Sequence, residues 1–134
     1  MSAGDVMTFD EVSRRIKRGD AVSIRNALDE GLDPDLTNRF GWTLLMMAAS
    51  EGNVAIGEML LVRGADLDRL NDFRNSALWC AVLSGHEPFV RLLLAKGADP
   101  GSLLEPATED WMTKYSGQPR GKIERIYEII RHGA

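Results

Sequence analysis

At 134 residues, with 44% hydrophobic and 27% charged positions, the chain has the length of one small domain and a composition that excludes a disordered segment. A formal net charge of −4 argues against a general nucleic-acid binder, which needs a basic face to displace phosphate counterions, and favours a basic partner. The single cysteine, Cys80, excludes an internal disulfide and a cysteine-based zinc cluster; with no signal-like start and no run near the ~20 apolar residues that span a bilayer, a cytoplasmic protein is expected.

Residues 1–7 read as a frayed terminus. Thr8 then offers an N-cap, with Glu11 three positions on in the capping-box arrangement, for a helix that reaches about Arg18. Val12 and Ile16 share its inner face, and Arg14, Arg15, Lys17 and Arg18 surround them. A second helix carries Val22, Ile24, Ala27 and Leu28 as its apolar positions and stops at Gly31, before the extended Asp33-Pro34 pair.

From Asn38 the chain repeats itself. Shifting Asn38–Asp66 by 33 residues onto Asn71–Asp99 pairs Thr43 with Ser76, Leu45 with Leu78, Ala48 with Ala81, Gly52 with Gly85, Leu60-Leu61 with Leu93-Leu94, and Gly64-Ala65-Asp66 with Gly97-Ala98-Asp99. Each copy reads as a turn, a short inner helix from Thr43 or Ser76, a reversal at Gly52 or Gly85, and a longer outer helix. Ile56, Met59, Leu60 and Leu61 line the first outer helix, and Phe89, Val90, Leu92, Leu93 and Leu94 the second. Small alanines at 48, 49 and 81 allow neighbouring inner helices to approach closely, so leucine at 48 or 81 is expected to overpack the stack by ~1–3 kcal/mol. Gly19 and Gly31 stand 33 residues before Gly52 and Gly64, which makes the N-terminal helices a degenerate first unit.

Beyond Pro100, Gly121, Ile126, Ile129-Ile130 and Gly133-Ala134 repeat the spacing of Gly85, Val90, Leu93-Leu94 and Gly97-Ala98 at an offset of 36. A three-residue insertion in Ser116–Arg120 accounts for the shift, between an inner helix carrying Trp111 and Tyr115 and a final helix from about Lys122 to Arg131. The chain therefore divides into units at about 5–37, 38–70, 71–103 and 104–134, whose end members cap a stack that a single unit of this size could not sustain alone.

The run Gly41-x-Thr43-x-Leu45-x-x-Ala48-Ala49-x-x-Gly52, followed by Leu60-Leu61-x-x-Gly64-Ala65-Asp66, resembles the ankyrin repeat. The Gly85-His86 pair, in which the family's histidine is structural, agrees with it. Leu44 and Ala77 depart from the family's proline, Met46 and Trp79 from its histidine, and Arg74 from a glycine that supplies a turn with positive φ. The resemblance implies an all-α solenoid of stacked helix-turn-helix units with short turn or hairpin connections, monomeric and acting by protein–protein recognition. It also fixes where a partner is read: turn tips at Arg39, Phe40 and Trp42, then Asp72, Phe73 and Asn75, and inner-helix ends at Lys17, Arg18, Ser50, Glu51, Leu83 and Ser84. Trp42 is the residue singled out as an anchor. Phe40 and Phe73 either line the concave side with it or pack on one another and stiffen the row.

Other features carry structural readings. Trp79, Trp111 and Tyr115 sit at inner-helix positions where burial is expected, and Cys80 reads as a small buried hydrophobe. The basic cluster of residues 14–18 reads as a solvated rim. No enzyme, cofactor or metal is expected: there is no phosphate-cradling glycine loop and no nucleophile elbow, His86 and His132 fall in different units, and Glu105, Glu109 and Asp110 cluster at a helix start. The function expected is occlusion of one cognate protein by an inhibitor, as an immunity protein neutralises a toxin. The alternatives are a scaffold subunit that leaves its enzyme active and, more weakly, nucleic-acid binding through the basic first helix with steep salt dependence.

Overall fold

The computed structural model describes residues 7–133. Residues 1–6 of the frayed terminus expected over residues 1–7, with the start of the first unit at residue 5, and Ala134 lie outside the described residues; Met7, the last of that stretch, is half-buried against the core. Among the described residues eight α-helices run in order: α1 (Phe9–Lys17), α2 (Ala21–Asp29), α3 (Leu44–Glu51), α4 (Val54–Val62), α5 (Ala77–Leu83), α6 (Glu87–Ala95), α7 (Pro106–Tyr115) and α8 (Arg120–His132).

Each of the first five helices starts on a polar side chain that takes up an orphan backbone amide. Thr8 accepts from the Glu11 amide, Asp20 from Ser23, Thr43 from Met46, Asn53 from Ile56 and Ser76 from Trp79. Only half of the capping box expected at Thr8 is thereby formed. The last three helices begin with proline instead: Pro88 and Pro106 lie in the first turns of α6 and α7, and Pro119 precedes α8, where a fixed φ and a missing donor cost nothing.

The odd-numbered helices form an inner row and the even-numbered ones an outer row. Within them α1 packs on α3 and α3 on α5, while α2 packs on α4, α4 on α6 and α6 on α8. Ala48, Ala49 and Ala81 are fully buried in the inner row, as their size predicts. The outer row has its own device at Gly57, where an added Cβ would lie 2.6 Å from Phe89 Cζ, so the bare backbone of α4 admits the buried Phe89 ring of the next unit. Polar links repeat with the stack: Asp35 Oδ1 accepts the Asp66 amide at 2.7 Å and Asp68 Oδ1 the Asp99 amide at 3.0 Å, while the His86 ring Nε2 meets the Ser50 carbonyl at 3.0 Å.

The structure also departs from the sequence reading at Val22 and in the C-terminal register. Val22, expected to be an apolar contact, is 60% exposed, because Ile24 and Leu28 hold the buried face of α2 and a residue two positions from Ile24 points about 200° away. The C-terminal register also differs. The reversals at Gly19, Gly52 and Gly85 all have φ +71, and the next is Gly117 at φ +78, only 32 residues beyond Gly85. Gly121 is helical. Two residues, Gln118 and Pro119, separate Gly117 from α8 where His86 alone separates Gly85 from α6, so Ser116–Arg120 holds one extra residue and not three. The rest of the offset of 36 shared by Ile126, Ile129 and Gly133 arises inside α8, whose 13 residues exceed the 9 of α6 by four, about one helical turn.

Candidate functional site

Two tips carry the most exposed part of the predicted recognition row. Asn38 Oδ1 accepts the amides of Phe40 (2.9 Å) and Trp42 (3.0 Å), and Asn71 Oδ1 accepts those of Phe73 (2.9 Å) and Asn75 (3.1 Å), so each turn is closed by the same side chain. The tips are joined by the Asp72 amide, which donates to the Phe40 carbonyl at 2.9 Å. Phe40 and Phe73 lie with ring centroids 6.5 Å apart and tilted by 39°, yet remain 44% and 63% exposed. They pack on one another, as one of the two readings expected, and both rings stay exposed. The Arg39 guanidinium lies 4.8 Å from the Phe40 ring centroid, a cation–π contact at the surface.

Trp42, the anchor singled out from sequence, is only half-buried and packs against the core, so less of its ring is free than the phenylalanines offer. Asn75 is half-buried, and Asp72 is exposed. Arg74 has φ +64, the one non-glycine residue with positive φ among the described residues, so the turn keeps its left-handed form without glycine.

The inner-helix ends present a second surface. Lys17, Arg18 and Glu51 are exposed, Ser50 is half-buried, and Leu83 is half-buried against the core. Here the sequence reading needs correction. Trp111 and Tyr115, expected to be buried, are 43% and 67% exposed, and Trp79 is half-buried. The three rings form a continuous row, with centroids 5.9 Å apart for Trp79–Trp111 and 5.7 Å for Trp111–Tyr115. Residue type suggested a core; the corrected register shows otherwise, since the offset of 32 makes Trp111 the counterpart of Trp79, and Tyr115 that of Leu83, at the rim of the inner row. No later unit packs over them among the described residues.

Elsewhere some of the charged groups have partners. Arg63 pairs with Asp29 and Arg131 with Glu109, while hydrogen bonds from Arg125, and secondarily Arg91, hold the Glu87 carboxyl below its usual range. Burial pushes the Cys80 thiol up to about 12 against a smaller downward pull from the Ser50 hydroxyl, which leaves it a protonated core residue rather than a nucleophile. No group of three His, Cys, Asp or Glu residues able to hold a metal occurs among the described residues. No helix there is long and apolar enough to cross a membrane.

Comparison with known proteins agrees with this geometry. The ankyrin repeat family model matches residues 15–103 as three copies, and the chain belongs to the ankyrin repeat family. It is 43% identical over 51 residues to the horse (Equus caballus) protein named "Ankyrin repeat, SAM and basic leucine zipper domain-containing protein 1", a match covering 38% of this chain and 11% of that protein. The platypus (Ornithorhynchus anatinus) protein of that name is 45% identical over 56 residues, covering 41% of this chain and 12% of its own. The match thus takes in only about a ninth of each relative's length. Ankyrin repeats generally mediate protein–protein interaction and are typically non-catalytic, and the all-α repeat solenoid expected from the sequence is the architecture found.

Proposed function

We propose that the protein is a non-catalytic binding module whose four units, at about 5–37, 38–70, 71–103 and 104–134, act as one domain that occludes a single cognate protein. The observation that supports this most is the Phe40–Phe73 pair. Two exposed aromatic rings are held on rigid, side-chain-closed turns, and rigid aromatic side chains on a fixed frame lose little conformational entropy on binding. Around them Arg39, Asp72, Trp42 and Asn75 supply a mixed polar rim of the kind that excludes water from an apolar centre. The net charge of −4 favours a basic partner at long range, by steering rather than by contact.

The test is a pull-down with tagged protein, identification of the bound protein, and assay of that protein's own activity alone and in the complex. Loss of activity in the complex is expected. Full retained activity would contradict occlusion and leave the scaffold role, in which the partner is held but not blocked.

A further inference from the structure

We propose that the inner-helix rim seats one segment of the partner protein, acidic where it crosses α1 and apolar where it crosses α7. This deepens the binding-module reading and rests on it. The corrected register carries the inference. With reversals at Gly19, Gly52, Gly85 and Gly117, the residues at one equivalent rim position are Lys17, Ser50, Leu83 and Tyr115, and at the next Arg18, Glu51, Ser84 and Ser116. Read along the stack, the rim passes from cationic through polar to aromatic.

Its two ends differ in what remains unsatisfied. At α1, Arg14, Lys17 and Arg18 are exposed, and none of them forms an ion pair among the described residues. At α7 the charges are already matched, Asp110 by Lys114 at 3.0 Å and Glu109 by Arg131, and what is left open is the ledge of Trp111 and Tyr115 continued by Trp79 and Leu83. Complementarity therefore asks for carboxylates at one end of a ligand and large apolar side chains at the other. Glu51 lies between the two ends and repels a carboxylate placed centrally, which confines the ligand's acidic residues to the α1 end. Packing of α1 on α3 and α3 on α5 at ~8–10 Å puts α1 and α5 roughly 16–20 Å apart, about five or six extended residues, and the Trp79–Trp111 contact carries the rim on to α7.

The rings lie against one another instead of surrounding a space, so the ledge suits an apolar side chain better than a cation. A nucleic-acid strand fits less well, because its phosphates would have to pass Glu51 and Asp110 beyond the cationic end.

The experiment is a selection of random peptides of about twelve residues displayed on phage against the whole folded protein, with synthetic copies of the recovered peptides measured by fluorescence anisotropy. Recovered sequences should carry Asp or Glu at one end and Leu, Phe or Trp at the other. Trp111→Ala with Tyr115→Ala should weaken them more than tenfold, and Lys17→Glu with Arg18→Glu should turn the selection towards basic peptides. All four residues have exposed side chains, and unchanged circular dichroism melting of the variants secures their fold. Basic peptides from the unaltered protein, no enrichment at all, or binding unmoved by both pairs of substitutions would overturn the proposal. Peptides that respond only to Phe40→Ala and Phe73→Ala would overturn this seat while leaving the protein-binding reading in place. Binding of a single-stranded oligonucleotide in preference to any peptide would overturn both.

Discussion

The turn from Asn38 to Thr43 and its counterpart from Asn71 to Ser76 share a closing asparagine, a left-handed fourth residue and a helix cap, but they fill the left-handed position with Gly41 in one and Arg74 in the other. The neighbours explain the difference. A Cβ at Gly41 would meet Asp72 Oδ1 at 3.0 Å and the Asn71 Cα at 3.2 Å, because the second turn lies over the first. Over the second turn no third one lies: the chain there passes into a 3-10 turn at Gly101–Leu104, and Arg74 is exposed. Glycine is thus demanded twice at position 41, by backbone conformation and by space, and only once at position 74. What a repeat conserves within itself is set by which neighbour covers it.

The outer helices sharpen the same comparison. Phe89 of the second copy fills room left by Gly57 of the first, and no such exchange exists in the reverse direction, where Val90 stands at the equivalent of Gly57. Phe89→Ala should therefore have the largest effect, about 3–5 kcal/mol of destabilisation by urea unfolding. Gly57→Val should cost about 1–3 kcal/mol, because the buried ring cannot move aside. A Gly57→Val variant as stable as the unaltered protein would show that the two outer helices are not in fact locked through this contact.

Phe89 was legible as core from its place in the pattern, but Gly57 was not, since nothing at position 57 announces what the next unit will press against it. The same limit explains the other errors. Offset 33 located the inner and outer helices, the caps at Thr43 and Ser76 and the Phe40–Phe73 pair, all of which depend on residues within one unit and its immediate copy. Val22 was misread because one apolar residue among four does not reveal which face of a short helix is covered. Trp111 and Tyr115 were misplaced because their burial depends on whether a further unit packs over the last one, and because matching Gly121 to Gly85 hid the shorter inner spacing at Gly117. In the predicted recognition row, the offset paired the two phenylalanines, whereas nothing in the sequence told how far the Trp42 ring packs against the core.

At the turns the effects should be smaller and opposite in sign. Arg74→Gly relieves a left-handed residue but adds freedom to the unfolded chain, for a net stabilisation of about 0.5–1 kcal/mol in thermal unfolding. Gly41→Ala should destabilise by about 1–2 kcal/mol or more, since strain and crowding add there. Equal effects at the two positions would mean that the covering turn is irrelevant.

The smallest effect on folding should come from the surface where binding is proposed. Phe40→Ala combined with Phe73→Ala removes two exposed rings and should change stability by no more than about 0.5–1 kcal/mol. Measuring this double variant's melting temperature beside its Kd for the captured partner tests the central claim directly, that the stacked frame folds the protein while the exposed turn-tip rings it carries recognise a partner. The account predicts a nearly unchanged melting temperature with a loss of at least tenfold in affinity. Unchanged affinity in a variant that melts with the unaltered protein would contradict it.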